Sequence, residues 1–237
     1  MIKSSDQEKS KPEGEGRRPG RRRRNDAGDR TRSQIVDAAL RTLLAEGYSG
    51  TSARAVATTG GFSAALIFYH FGSLDAVLLA VMDRVSDERL SRYRSRLHEV
   101  SSLSALAAAM AELYAEDLSL GHLTAVQEIV AGMAFDDRLG AEILARMQPW
   151  FDFATELAGG ILAGTPLDGA VDPATIGSSV IALYLGQEIV DRMRRGEAGG
   201  SSALVATLTS AAPWLDRLLG RTPRGGGRRP PERIGVD

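Results

Sequence analysis

The sequence predicts an all-α fold, and three features of its pattern support this prediction. Apolar residues recur at spacings of three and four through most of residues 33–219, which is the period of an amphipathic helix. Serine or aspartate stands at the start of several of these segments, where either residue caps a helix. The aromatic run at residues 66–71 could pass for a strand, but helical patterns flank it and the sequence offers it no partner strand.

Four helices are predicted in the first half of the chain. The first is apolar on one face and is expected to end at Gly47, because glycine is the residue that most often terminates a helix. Two short helices follow, one capped by Ser52 and one capped by Ser63, with a glycine turn at residues 60–61 between them. A long helix is then predicted from Ser73 to about residue 97.

The second half is predicted to contain only helices. They are placed at about 103–118, 122–133, 136–147, 149–162, 173–195 and 201–219. Pro149 is expected to start or kink a helix, since proline cannot donate a backbone hydrogen bond. Asp172 followed by Pro173 is a strong start signal, and Pro213 is expected to begin a short terminal helix.

Charge divides the chain into an acidic body and two basic ends. Residues 1–32 carry a net charge of +5, residues 217–237 carry +4, and the part between them carries −10. The ends contain almost no apolar residues, so we predict a disordered arginine-rich arm over 1–30 and a disordered tail over 221–237. Between them we predict a helix-turn-helix domain over 31–80 and a larger helical domain over 81–220. Basic ends are typical of tails that meet a polyanion, and solvated tails are the alternative.

The residue inventory argues against an enzyme, a metal site or a cofactor. The chain has no cysteine, and its three histidines have no spacing of the kind that metal sites use. Glycine motifs for phosphate binding and the nucleophile motif of hydrolases are absent from the sequence. No run of 18 apolar residues occurs and the N-terminal stretch is polar, so we expect no membrane span, no signal peptide and a cytoplasmic protein.

Residues 51–71 carry the strongest functional signal. Two short helices joined by a glycine turn form the helix-turn-helix arrangement, whose second helix enters the major groove of DNA; a generic helical hairpin is the alternative. The sequence here resembles the N-terminal domain of the tetracycline-repressor (TetR) family of bacterial regulators. The residues that carry the resemblance are Gly47, Tyr48, Thr51, Ser52, Ala57, Gly61, Ser63, the run Phe68-Tyr69-His70-Phe71, and Ser73. The resemblance covers about residues 33–80 and implies an all-helical, dimeric, DNA-binding protein that responds to a small molecule.

Roles in DNA binding follow from this resemblance. Thr51 and Ser52 lie where the family caps a helix and contacts phosphate, and the nearby Arg54 can reach phosphate or a base edge. The recognition helix begins with Ser63, Ala64 and Ala65, and Tyr69 and His70 lie at its end. Lysine, arginine or glycine often occupies positions 64, 65 and 74 in the family, whereas this chain has alanine or leucine there. Readout by Ala64 and Ala65 could only be apolar, for instance with a thymine methyl group.

The arginine-rich arm is expected to supply the charge that this domain lacks. Residues 33–80 contain only Arg41 and Arg54 as basic residues and have a net charge of −1. We therefore expect the arm to enter the adjacent minor groove of the operator. Its arginines are Arg17, Arg18, Arg21, Arg22, Arg23 and Arg24. A flexible tail that never touches DNA is the alternative.

The C-terminal domain is expected to hold the effector pocket and the homodimer interface. Candidate pocket residues are Met82, Tyr93, Met110, Tyr114, Met133, Trp150, Phe153 and Tyr184, with His122, Gln127 and Glu128 as polar anchors. Small residues repeat every four positions at Ala174, Ser178, Ala182 and Gly186, which would let a partner helix approach closely. Packing of this stripe within the subunit is the alternative.

Two functions remain open on the sequence alone. The first is a dimeric DNA-binding regulator, a repressor that a small hydrophobic, neutral or weakly basic effector releases from its operator. The second is a helical small-molecule-binding protein with weak or lost sequence-specific DNA binding, an alternative that the neutral recognition helix leaves open. In the first case we expect the long helix after Ser73 to couple the pocket to the spacing of the recognition helices.

Overall fold

The computed structural model describes residues 19–133, 136–193 and 200–220, and over these residues it is helical throughout. In chain order the helices are α1 (Pro19–Gly50), α2 (Ala53–Gly60), α3 (Ala64–Phe71), α4 (Leu74–Leu97), α5 (Leu103–Ser119), α6 (His122–Met133), α7 (Asp137–Leu162), α8 (Pro173–Met193) and α9 (Gly200–Leu218). No strand occurs in the described part, which confirms the predicted all-α fold.

Side chains cap the starts of several helices, among them the predicted caps Ser52 and Ser73. The hydroxyl groups of Ser52, Ser73 and Ser102 each accept a hydrogen bond from a backbone amide in the first turn of α2, α4 and α5. The carboxylate of Asp136 accepts from the amides of Arg138 and Leu139 and so begins α7. These bonds satisfy amide groups that have no partner within their own helix.

The start of the first helix differs from the prediction. Helix α1 begins at Pro19, so residues 19–30, which the sequence assigned to a disordered arm, are helical. Arginine is a good helix former, and this segment joins the apolar part of α1 with no proline between them. Residues 1–18 and 221–237, for which disorder was predicted, lie outside the described residues. At Gly47, where the sequence predicted the helix end, the backbone leaves the helical conformation with φ 70° and ψ −179°, which makes a kink between two helical segments.

Proline falls inside two helices that were expected to break there. Helix α7 runs through Pro149, and α9 runs through Pro213 without a separate terminal helix. Each proline removes one backbone hydrogen bond. Around Pro149 the loss is offset by packing, because Met147, Trp150 and Phe153 all join apolar clusters.

Two apolar clusters form the interior. The first contains residues of α1 to α4 together with residues of α6 and α7, among them Ile35, Ile67, Val77 and Ile129, none of which is exposed. The second surrounds Tyr93 and Phe153 and joins α4, α5 and α7. The first cluster crosses the boundary predicted at residue 80, so the N-terminal helices share a core with the larger domain.

Among the described helices, none is by itself long and apolar enough to cross a membrane. Helices α3 and α4 satisfy that test only as a pair, across a bend of 72°.

Candidate functional site

Helices α2 and α3 form a tight helix-turn-helix. Gly61 lies between them with φ 70°, a left-handed conformation that glycine adopts without strain, and its amide reaches the carbonyl groups of Ala57 and Thr58. Ser63 holds the cap position of α3, but its hydroxyl makes no capping hydrogen bond, contrary to the prediction. That hydroxyl is exposed at the start of α3.

Helix α3 has one buried and one exposed side. Ile67 is fully buried, and Ala64, Leu66 and Phe71 pack partly against the first core cluster. Ala65, Phe68 and Tyr69 form the exposed side, where Phe68 is 51% exposed and Tyr69 is 83% exposed. Of the two alanines predicted to read bases, the structure therefore places Ala65 on the surface and Ala64 against the core. Phe68 was not among the predicted DNA contacts. Its spacing of three residues from Ala65 is the signal in the sequence that could have placed it on the same face of α3.

The remaining predicted DNA contacts are divided between surface and interior. Ser52 and Arg54 are exposed, and His70 is half-buried. Thr51 is only 7% exposed, and its hydroxyl donates to the carbonyl of Gly47 at 2.7 Å. Its side chain thus joins α1 to α2, which corrects the predicted phosphate contact. Arg17 and Arg18 lie outside the described residues, as do the side chains of Arg21, Arg22, Arg23 and Arg24.

Arg32 fixes the far end of α3. Its guanidinium donates to the carbonyl of His70 and lies over the ring of Phe71, 4.1 Å from the ring centre. This contact ties α1 to the C-terminal turn of α3 and holds the helix against the core. The sequence had placed Arg32 only within the charge of the arm, because a contact across 38 residues leaves no local signal.

A small, almost wholly apolar cavity of about 110 Å³ lies behind this unit. Helices α4 to α8 contribute its walls. Its lining residues are Met82, Ser86, Arg89, Tyr93, Met110, Val126, Met147, Trp150, Val180, Ile181, Tyr184 and Leu185. Five predicted pocket residues line it, namely Met82, Tyr93, Met110, Trp150 and Tyr184.

A buried ion pair supports one wall of the cavity. Arg89 is 6% exposed, and its Nε donates at 2.7 Å to the fully buried carboxylate of Asp117. Arg92 and the hydroxyl of Tyr93 also donate to this carboxylate. Burial, with the Asp117 carboxylate beside it, raises the pKa of Tyr93 to about 12, so Tyr93 stays neutral as a donor. The Arg89 guanidinium also lies over the Trp150 ring, 4.9 Å from its centre.

Six predicted pocket residues do not line the cavity. Met133 belongs to the first core cluster and Phe153 to the second, because apolar side chains on adjacent helix faces serve the core as well as a pocket. His122 lies 3.6 Å from the carboxylate of Glu88, and burial lowers its pKa. Tyr114 on α5 and Gln127 on α6 are half-buried. The side chain of Glu128 points toward α1.

Helix α6 is pressed against the C-terminal end of α1. The Glu128 carboxylate accepts a hydrogen bond of 2.7 Å from the backbone amide of Tyr48, directly after the kink at Gly47. Gly132 lies so close to the Tyr48 ring that a Cβ at position 132 would be 2.3 Å from ring atom Cδ1. At the other end, a Cβ at Gly121 would lie 2.9 Å from the Leu44 side chain. We call these contacts the α1–α6 seam.

The helix-turn-helix matches a known family of DNA-binding domains. Residues 35–81, which span it, match the sequence model of the bacterial regulatory proteins of the tetR family. These residues form a TetR-type DNA-binding domain. In it, α3 is the second helix of the helix-turn-helix, the helix that enters the major groove in proteins with this motif. No curated protein matches the chain significantly.

Solved structures of bacterial regulators have the same fold. The fatty acid degradation regulator FadR from Bacillus halodurans has a TM-score of 0.62 and 16% identity, over 76% of this chain and 93% of that one. A TetR-family regulator from Agrobacterium tumefaciens has a TM-score of 0.60 and 15% identity, over 81% and 99%. FadR from Bacillus subtilis, solved in complex with stearoyl-CoA, has a TM-score of 0.55 and 15% identity, over 76% and 96%.

The small-residue stripe predicted for the dimer interface is exposed. Ala174, Ser178, Ala182 and Gly186 all lie on the surface of α8. Large apolar residues are exposed beside them on α8 and α9, including Val180, Leu183, Leu208, Trp214 and Leu218. The alternative that the stripe packs within the subunit is therefore not what the structure shows.

Proposed function

We propose that this chain is a homodimeric repressor that a small apolar effector releases from its operator. The observation that carries the proposal is the position of the cavity. Its walls include α4 and α6, both of which contact α1, and α8, which carries exposed apolar residues on its outer side. A molecule that enters the cavity would push on elements that position the DNA-binding unit.

The exposed faces of α8 and α9 support the dimer. Leu183 is 53% exposed, Trp214 is 68% exposed and Leu218 is 78% exposed, which is a large apolar area for a monomer in water. The stripe of small residues on α8 would let a partner helix approach closely. Sedimentation or light scattering of the purified chain tests this proposal, and Leu183→Asp should convert a dimer into a monomer.

The cavity supports an effector with a compact apolar group. A known apolar cavity of about 150 Å³ holds benzene, so the smaller space here fits a group of similar or lesser size unless the helices move apart. The Arg89 charge in its wall is already paired with the Asp117 carboxylate, so the apolar lining disfavours a charged ligand and favours a neutral one. The structural neighbours include a stearoyl-CoA complex of FadR and an imidazole complex of the multidrug binding protein EbrR, so this fold accommodates diverse ligands.

Two routes can connect the cavity to DNA. Helix α4 begins next to α3 and supplies Met82, Ser86, Arg89 and Tyr93 to the cavity, which is the route that the sequence suggested. Helix α6 supplies Val126 to the cavity and, two residues later, Glu128 to the α1–α6 seam. An effector must favour the geometry that does not bind DNA if it is to release the operator.

The test is an anisotropy titration of the purified protein against duplex DNA that flanks its own gene, at two salt concentrations. Tight binding that survives excess non-specific DNA supports the regulator, and a steep salt dependence reports phosphate contacts. The bound complex then serves to screen small apolar molecules for release. Weak, sequence-indifferent binding to this and to randomised DNA would favour the alternative of a small-molecule-binding protein.

A further inference from the structure

We propose that Phe68, together with Ala65, reads thymine methyl groups in the major groove, so that the operator half-site is specified largely by apolar contacts. This inference rests on the proposed function and adds to it the chemical feature of DNA that the recognition helix detects.

The exposed side of α3 offers almost no hydrogen-bonding readout. Discrimination of guanine commonly uses arginine or lysine, and discrimination of adenine uses asparagine or glutamine; α3 carries none of these residues. Its exposed side chains are Ala65, Phe68 and Tyr69. Of the features that a base pair presents in the major groove, the thymine methyl group is the one that an alanine or phenylalanine side chain can recognise.

Chemistry separates the two exposed aromatic residues. Phe68 and Tyr69 follow Ala65 by three and four residues, so all three lie on one face of α3. Tyr69 and His70 lie at the end of the helix, and their rings contact each other edge to face with centres 5.0 Å apart. Phe68 is the larger apolar group on the face that begins with Ala65, whereas Tyr69 has a hydroxyl suited to a phosphate.

The surrounding contacts hold this face in place. Ile67 is fully buried on the opposite side of α3, and Phe71 is covered by the Arg32 guanidinium. About half of the Phe68 side chain is therefore open to a partner, on a helix whose other side is fixed against the core. That exposed area is available to pack against methyl groups in the major groove.

The experiment removes the methyl group and nothing else. A random duplex library is selected against the full chain, and the enriched sequence is synthesised with thymine and, one position at a time, with deoxyuridine. At the positions that Phe68 contacts, deoxyuridine should weaken binding about fourfold per methyl group, as expected from the ~0.8 kcal/mol for burial of one such group.

Two variants assign the effect to its residue. Phe68→Ala should bind thymine and deoxyuridine duplexes equally at those positions, because the contact that distinguishes them is gone. Tyr69→Phe is the matched control: it should weaken binding to both duplexes alike and keep their ratio. Both side chains are at least half exposed, and circular dichroism should show that both variants fold as the parent does.

The outcomes separate this inference from the proposed function. An enriched sequence whose affinity is unchanged by deoxyuridine at every position would overturn methyl readout and leave the operator-binding function standing. Loss of affinity with deoxyuridine that persists fully in Phe68→Ala would overturn the role of Phe68. Failure to enrich any sequence would overturn the proposed function and this inference with it.

Discussion

Gly132→Ala tests whether the α1–α6 seam is as closely packed as its geometry indicates. An alanine Cβ at position 132 would lie 2.3 Å from Cδ1 and 2.4 Å from Cγ of Tyr48, more than 1 Å inside ordinary contact. These atoms are at the base of the ring, so they cannot move without moving the Tyr48 side chain as a whole. Either α6 must withdraw from α1 or Tyr48 must leave its place.

The expected cost follows from two opposing effects. Overpacking of a close contact costs about 1–3 kcal/mol, and replacement of glycine by alanine within a helix returns up to about 1 kcal/mol. The net destabilisation should be about 1–2 kcal/mol, or about 2–8 °C in Tm for a chain of this size. Gly160→Ala is the matched control, since a Cβ there meets no atom within 4 Å, and this variant should be as stable as the parent or slightly more stable.

Thermal unfolding followed by circular dichroism measures both variants, and operator titration then measures the functional effect. Gly132→Ala should also weaken DNA binding, because the displaced end of α1 leads directly into α2. Equal Tm values for Gly132→Ala and Gly160→Ala would show that the seam yields without cost, and the reasoning from its geometry would be refuted.

Three further results are expected. Asp216→Ala should lower the free energy of unfolding by about 2–4 kcal/mol, because this buried carboxylate accepts hydrogen bonds from the amides of Leu103 and Ser104 at the start of α5. Chemical denaturation measures this loss of stability, and a change below about 0.5 kcal/mol would contradict the expectation. Burial lowers the pKa of His122 in the folded chain below the ordinary histidine value of 6.5. Between these two pKa values the unfolded chain binds more protons than the folded chain, so stability should fall as the pH decreases from about 6.5 toward the lowered pKa. The variant His122→Asn should flatten that part of the pH profile of Tm. Deletion of residues 1–24 should reduce both operator affinity and the slope of its salt dependence, and an unchanged slope would exclude phosphate contacts by the arm.

The helices were predictable because their signals are local. Ser52 and Ser73 each act within three residues of their own position, and the apolar period needs only neighbouring turns. The helix break predicted at Pro149 was wrong. Proline does remove one backbone hydrogen bond there, but whether the helix continues depends on apolar clusters that distant helices form, and local sequence does not show these. The prediction for the start of α1 was wrong for a similar reason. A polar composition favours disorder, but it does not prevent a helix from continuing out of a packed segment.

Of the candidate functional site, only the part that follows a sequence motif was predictable. The helix-turn-helix could be located from the order and spacing of residues 47–73, whereas Arg32, Phe68 and Arg89 owe their roles to their surroundings. Arg32 meets His70 across 38 residues, and Arg89 meets Asp117 across 28. The residues around an arginine do not show whether it has a distant partner or lies on a solvated surface. Arg32 was therefore counted only in the charge of the arm, and Arg89 was not selected.

The structure also changes the view of how a signal could reach DNA. The sequence suggested a single coupling helix, because α4 directly follows α3. In the fold, however, α6 contacts the cavity through Val126 and α1 through Glu128, and these residues are separated by less than one helical turn. A shift of α6 at the cavity cannot be absorbed along the helix before it reaches the Tyr48 amide. Because α1 then leads through the Gly47 kink into α2, we propose that the shorter path from an effector in the cavity to the DNA-binding unit runs through α6.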